Sequence, residues 1–525
     1  MTEMDSRQVG VRPFVIFCSL VASLGTFNSG INTSALNVPS FYVRNCPGSS
    51  NNVTYYPGSS LPQCIIMNDW IWGVATGMLA VGGLLGAICS GTLAGRFGRR
   101  DSMLYMNILF VIGAVLISTS TTSAQFAVGR IIVGAASGFM TTIVSVYITE
   151  ISPPSHRGVL VAFLQLFTAT GIFVIEAIGL GLRSYVGWRV ITAITVVPAI
   201  TQAIGLGFCS RSPRWLIGQN RVDEARTVML RLRKGNMESE FAEMVHGIVT
   251  TIPSPSPNTL DDKGKNDILS STEDTTTIED EETVKTTTTR GSNGNHLSFF
   301  QVMRIRRLAI LTMKQMILHA GSQLVGINAI MYYSTSIFEA SFGDNAAYVT
   351  VGVAGLNVVM TVVGQSLIDR LGRKSLMLIS SVSMCLFAAL MTVGMALNIP
   401  ILQVVCIMLF VASFAVGLGI VPFLFTAECF PTYAVGAGCS AALMSNWFFN
   451  FIIGLIFPTL ARVCGDYVFL IFVGFSFLLS LFIYFFTIET KKRSIEDIGR
   501  QLGWYDLNIH GSSTTVVSEK KLDHD

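Results

Sequence analysis

Between residues 321 and 334 the chain reads GSQLVGINAIMYYS, an apolar run that carries Ser322, Gln323, Asn328 and two tyrosines. Asn and Gln each present a hydrogen-bond donor and an acceptor on one uncharged side chain. That matches the dual character of a hydroxyl and avoids the cost of placing a charge in an apolar surround. A sugar or polyol gives up water to enter such a place, and each hydroxyl left unpaired there costs about 1–3 kcal/mol. Gln165, Asn357, Asn446 and Asn450 lie in other apolar runs. One such amide could simply join two helices, whereas several on several helices point to one polar cavity. Trp447, Phe423, Tyr332 and Tyr333 offer rings on which the apolar face of a pyranose can stack. Gln323 and Asn328 stand five positions apart, about 140° around an ideal helix. Both can address one ligand only if the helix is interrupted, and Gly326 is the candidate for the break.

The elements that must hold these residues follow from composition. Of 525 residues 51% are hydrophobic and only 13% charged, and the mean hydropathy is +0.57, too apolar for a soluble globule. Apolar stretches long enough to cross about 30 Å of hydrocarbon fall near 12–38, 70–95, 102–120, 124–148, 158–182, 186–209, 306–338, 346–368, 375–394, 399–426, 434–460 and 465–487. The N-terminus MTEMDSRQVGVR lacks the short apolar core and cleavage site of a removed signal. With twelve spans both ends share one face. That face holds Arg96, Arg99, Arg100, Arg157, Arg370, Arg373, Lys374, Lys491, Lys492 and Arg493, and the other holds few, such as Arg44, Arg183 and Arg462. The positive-inside bias therefore makes the termini cytosolic. The net charge of +3 reflects this topology and argues against a nucleic-acid partner.

GRFGRR at 95–100 recurs as DRLGRK at 369–374, and TEISPPSHRG at 149–158 is answered by AECFPTYAVG at 427–436. A duplicated bundle, with a site between halves that rock, is the architecture of a secondary transporter. The expected organisation is an N-terminal six-helix half over 1–209, a cytosolic linker over 210–300 with short amphipathic helices, a second half over 301–487 and a tail over 488–525. Residues 251–298 hold almost nothing apolar to bury and are expected to be disordered. Cys46 and Cys64 share the outward loop 40–68 with the acceptor pattern Asn52-Val53-Thr54. A disulfide and a glycan both fit there.

GRFGRR, GRIIVGAASGF, TEISPPSHRG, SPRWLI, GINAIMYYSTSIFE, DRLGRK, SNW and ETKKRSIEDI resemble, in order, the marker motifs of the sugar porter family of the major facilitator superfamily, and most nearly its facilitative hexose carriers. The resemblance runs from about residue 20 to 498. It implies an all-α membrane protein of twelve helices in two six-helix halves, with a cytosolic helical linker and alternating access. It also implies a sugar held by the residues matching Gln165, Gln323, Asn328, Asn357, Asn446 and Asn450. Departures bear on the substrate: Ser322 stands in place of the first Gln of a pair, Phe423 in place of Trp, and Ala415 where close glucose carriers have Glu. Glucose is the first expectation, with a pentose, fructose or a polyol as alternatives.

Proton-coupled members carry Asp in the first span where this chain has Asn32, and an amide does not titrate near neutral pH. Facilitative uniport is therefore favoured. Glu176 lies eleven positions after Gln165, and an intramembrane carboxylate is a functional candidate by default. Paired with Arg130 it would be a structural brace, the favoured reading, and unpaired it could carry a proton. His319 is expected to be a satisfied helix contact, and Lys314 to reach the membrane border. On the cytosolic face Arg96, Arg99, Arg100, Glu150 and Arg157 in one half match Asp369, Arg370, Arg373 and Glu428 in the other. Such clusters could lock that face through charge-assisted bonds. Val435 and Gly95 stand where the family has a basic and an acidic residue, and Arg211 where it has Glu, so the expected lock is weak and the inward-open population large. Gly417, Gly419 and Pro422 in the tenth span could form an outer gate or a simple kink. No catalytic residue, cofactor or metal is expected. The chain should act as a monomer in the lipid bilayer, in a plasma membrane. The rivals are a proton symporter and a non-transporting sugar sensor.

Overall fold

The computed structural model describes residues 12–47, 53–153, 156–234, 237–249, 299–431, 434–491, 493 and 495–505. Asn52 and the segment 251–298 lie outside the described residues, as does the tail beyond 505. The described chain is helical, with an isolated β bridge between Tyr55 and Pro62. Eleven crossings are long and apolar enough to span a membrane. The twelfth, seventh in order, is split into Arg306–Leu324 and Ile327–Phe342.

Spans one to four are Pro13–Ser34, Asp69–Phe97, Arg99–Ser118 and Ser123–Ile151. The fifth starts as Arg157–Val161 and continues as Phe163–Gly181, and the sixth joins Gly187–Ile194 to Val196–Phe208. After the seventh come Ala346–Leu371, Arg373–Ala396, a tenth broken into Pro400–Val416 and Val421–Cys429, then Val435–Cys464 and Phe469–Phe486. Large apolar side chains such as Ile108, Ile204, Phe477 and Phe485 are exposed along the outside. An apolar exterior of this kind is matched to lipid. Between helices the packing relies on small residues: a Cβ on Gly86 would lie 1.9 Å from the Ala135 carbonyl oxygen, joining spans two and four. Backbones come this close only where side chains are absent.

The duplicated motif folds the same way twice. Gly98 (φ +87°) and Gly372 (φ +94°) turn the chain between spans two and three and between eight and nine. Beyond the sixth span three short helices, Pro213–Gly218, Val222–Leu232 and Glu238–Val249, bury Leu216, Met229 and Phe241 against one another. They are fastened to the first half. Trp215 donates its indole N–H to the Gly95 carbonyl at 2.9 Å, and buried Arg233 donates to the carbonyls of Ile151 (2.6 Å) and Ser152 (3.2 Å) at the end of span four. On the opposite face Cys46 and Cys64 form the expected disulfide, with Cα atoms 5.3 Å apart. Trp188 and Arg189 pin this loop by donating to the carbonyls of Gln63 and Pro62.

The interruption expected at Gly326 is present. Its φ of +98° lies in the left-handed region, and a Cβ there would meet the Phe472 ring at 2.6 Å. The tenth span loses helical form over 417–420, and the next segment begins at Val421 with Pro422, which has no N–H to donate, in its first turn. An outer gate was one expectation for this break. The segment beyond it has only nine residues, so the break lies closer to the face that carries the termini.

Candidate functional site

The break at Gly326 turns Asn328 back so that its amide donates to the Gln323 side-chain carbonyl. Two groups that a straight helix would hold about 140° apart are thereby neighbours. Tyr332, one turn on, donates to the Asn450 side-chain carbonyl at 2.8 Å and ties span seven to span eleven. Asn446 lies one turn before Asn450; its Nδ2 and the Nε1 of Trp447 are buried with no partner among the described residues. Buried N–H groups without acceptors cost about 1–3 kcal/mol each. Half-buried Gln165 on span five and Asn357 on span eight have no side-chain hydrogen bond among the described residues. Phe423 is 46% exposed and presents its ring edge-on to His319 at 4.8 Å.

Three sequence expectations are corrected. Tyr332 and Tyr333 are not open stacking faces: both are buried, and Tyr333 donates to the Gly454 carbonyl at 2.7 Å. His319 is only half satisfied. Its Nε2 meets Thr426 Oγ1 at 3.1 Å, while Nδ1 is buried without a partner among the described residues. The third concerns Glu176 and Arg130, which do not pair. Arg130 donates to the backbone carbonyls of Asn32 (2.7 Å) and Thr76 (3.4 Å), whereas Glu176 accepts from the Asn37 side chain at 2.9 Å. Arg130 meets the first span at Asn32, and Glu176 meets the chain just past that span's end, at Asn37. Asn32 itself donates to the Asn28 carbonyl at 2.8 Å.

Asn37 was absent from the sequence reading, yet it stands at the centre of the contact between halves. Its Nδ2 also donates to Ser334 Oγ at 2.8 Å, and its Oδ1 accepts from the Thr335 backbone N–H at 3.1 Å. Ser34 donates to the Met331 carbonyl at 2.9 Å. Spans one and seven are therefore closed together on the face that carries the disulfide loop. Spans two and eleven close there as well, since a Cβ on Gly73 would lie 2.2 Å from the Leu455 carbonyl oxygen. Towards the other face Gly91 and Gly95 on span two and Gly436 on span eleven have open space beside them. Spans five and eight stay in touch, Gln365 donating to the Ala162 carbonyl at 2.8 Å.

At the terminal face each matched charge cluster pairs within its own half. Arg99 meets Glu150 at 2.8 Å, and Arg373 meets Glu428 at 3.0 Å. The second oxygen of each carboxylate accepts a hydroxyl from the chain just past the half's last span, Ser212 in one case and Thr490 in the other, each at 2.5 Å. Arg100 bonds Asp101 and the Cys209 carbonyl, Arg96 lies over the Phe97 ring, and the Arg370 carbonyl accepts from Lys491. The side chains of Arg157 and Asp369 lie outside the described residues. Arg211 is accommodated by Asp101, 3.0 Å away in the first turn of span three. In the second half Glu489 holds the corresponding place and accepts from the backbone N–H groups of Arg373 and Lys374. Burial would raise its pKa, but four backbone donors outweigh this and hold the carboxyl below its ordinary value.

The family model described as "Sugar (and other) transporter" matches residues 14–502. The chain belongs to that family. This member of the sugar transporter family is 32% identical over 501 residues to solute carrier family 2, facilitated glucose transporter member 3, of Oryctolagus cuniculus, covering 93% of this chain and 92% of that protein. It is also 32% identical over 514 residues to the Homo sapiens protein of the same name, covering 96% and 94%. Among solved structures it resembles the xylose transporter XylE from E. coli in a partially occluded inward open conformation, with a TM-score of 0.69 and 20% identity over 92% of this chain and all of that one. The fold is that of the major facilitator superfamily, and the sugar transporter is a multi-pass membrane protein.

Proposed function

We propose that the chain carries a monosaccharide, a hexose with glucose first, by alternating access as a facilitative uniporter in the plasma membrane. The observation that carries this reading is the pairing of Gln323 with Asn328 across the break at Gly326, with further amides carried by the apolar spans five, eight and eleven. Gln165, Asn357, Asn446 and Asn450 bond the sugar hydroxyls, and Phe423 and Trp447 cover its apolar face. The names of the glucose-transporting relatives support the hexose. The terminal face is cytosolic, in keeping with its basic residues and with the disulfide on the other side. The chain divides at 1–209, 210–300, 301–487 and 488–525, works as a monomer in the bilayer, and has no catalytic role or cofactor. Asn52 is the glycosylation site. When the cytosolic face closes, the clusters around Glu150 and Glu428 exchange partners across the halves.

Glu176 supports a second reading. It is a buried carboxylic acid without a cationic partner among the described residues, bonded to the Asn37 that joins the halves. Such a group could couple sugar movement to a proton. Uptake of labelled glucose by purified protein in liposomes, with and without an imposed proton gradient and competed by fructose, xylose and inositol, separates the two. Saturable uptake indifferent to the gradient is the expected result. Accumulation driven by the gradient and lost in Glu176→Gln would establish coupling, and no uptake of any sugar would favour a sensor.

A further inference from the structure

At the terminal face the pairs Arg99–Glu150 and Arg373–Glu428 each stay within one half. The opposite face differs. Asp69, the first residue of span two, is met by Arg44 at 2.5 Å and by Arg462, near the end of span eleven, at 3.3 Å. Arg183, between spans five and six, donates to the Asp344 backbone carbonyl at 2.7 Å and faces its carboxylate at 3.6 Å. Residues 69 and 183 belong to the first half, 462 and 344 to the second. The two contacts therefore bridge the two seams along which the halves touch, spans two and eleven on one side and spans five and eight on the other.

We propose that Asp69–Arg462 and Arg183–Asp344 form an ionic latch that holds the disulfide-loop face shut and biases the empty carrier towards opening at its terminal face. Charge sign and placement both support it. Arg183 and Arg462 are among the few basic residues on a face that charge bias otherwise leaves poor in them, and each is met by an acid of the other half. Asp69 is held in place by Arg44, whose guanidinium lies 5.6 Å from the Trp72 ring centre, so one side of that contact is preorganised. Both contacts are wet: the Arg462 side chain is 68% exposed, and Asp344 is fully so. Exposed pairs are weak and screened by salt, which suits a latch that must open in every transport cycle. The hydrogen bonds beneath it, from Ser34 and Asn37, join neutral groups and should ignore ionic strength.

The inference rests on the two-half architecture and not on the identity of the sugar, so its test needs no transport. Met331 is buried beside Ser34 where spans one and seven meet. A cysteine placed there (Met331→Cys, with Cys464→Ser to remove a thiol near the same face) reports opening through its rate of modification by a membrane-impermeant maleimide added from the loop side. Arg462→Glu and Arg183→Asp should each raise that rate about two- to five-fold, the range for one exposed pair. The exchange variant Arg183→Asp with Asp344→Arg should return it towards the parent value. Raising salt on the loop side to about 0.5 M should speed the parent and leave the variant lacking both pairs unchanged. Single variants that label at the parent rate, an exchange variant as fast as Arg183→Asp, or a parent indifferent to salt would each overturn the latch. The salt measurement requires no substitution in the latch itself, so a variant that folds poorly cannot shield the idea.

Discussion

Replacing Gly326 by alanine tests whether the break in span seven makes the site. Alanine in the left-handed region costs about 1–2 kcal/mol more than glycine. Its Cβ would also sit 2.6 Å from the Phe472 ring. That ring is wedged against Phe457 and Phe469, with centres 6.0 and 5.7 Å away, and has little room to yield. Overpacking of this kind costs about 1–3 kcal/mol, giving roughly 2–5 kcal/mol in all. The chain can shed that strain by continuing the helix, which rotates Asn328 about 140° away from Gln323. One sugar hydroxyl then goes unpaired at about 1–3 kcal/mol, or about a 5- to 150-fold rise in half-saturation at 1.4 kcal/mol per tenfold. The measurements are the apparent melting temperature in detergent and the half-saturation for glucose uptake. Gly343→Ala is the control, since Gly343 also has positive φ (+51°) but open space beside it. It should melt somewhat lower and keep its affinity. If Gly326→Ala behaves like Gly343→Ala on both measures, the break is not what assembles the site.

Asn446→Leu removes a buried N–H that has no partner among the described residues. Stability should be unchanged or higher while sugar half-saturation rises about 5- to 150-fold; a lower melting temperature with unchanged half-saturation would mark Asn446 as helix glue. Arg373→Ala strips Glu428 of its charged partner and should cost about 1.5–3 kcal/mol, read as a lower melting temperature, with Arg99→Ala giving a similar loss in the other half. Because the folded-state pKa of Glu489 is depressed, its contribution is complete above the unfolded carboxyl value of about 4.3 and is lost as pH falls through the folded value. The melting temperature of the parent should therefore fall more steeply with acid than that of Glu489→Gln. Trp504→Phe deletes the indole bond to the Cys429 carbonyl at 3.0 Å and should free the end of the broken tenth span, seen as faster backbone amide exchange over 421–429.

Much of the site could be read from residue types. An amide in an apolar run is conspicuous because lipid offers it nothing, and a glycine between two amides five apart announces a break. The signal failed where partners had to be chosen. Arg130 and Glu176 looked like a pair because they are opposite charges at similar depth in their spans, but buried Arg130 is served by two backbone carbonyls, which no side-chain pattern records. Asn37 was passed over although it follows Asn32 by five residues, for a lone amide near a span end is ordinary. Its importance comes from Ser334 and Thr335, nearly 300 positions away.

By itself the sequence determined the spans, their duplication, the basic face and the polar residues they carry. Apolar length, local charge and a repeated motif are properties of neighbouring residues, and the bilayer acts on each span separately. Only the tertiary structure decided which half each charge serves and which face is shut. Arg99 and Arg373 stay with acids of their own halves, while Arg462 and Arg183 reach across. The physical reason is that two halves of one fold can meet at either end with similar local sequence, and the few weak contacts that choose the end join residues far apart in the chain.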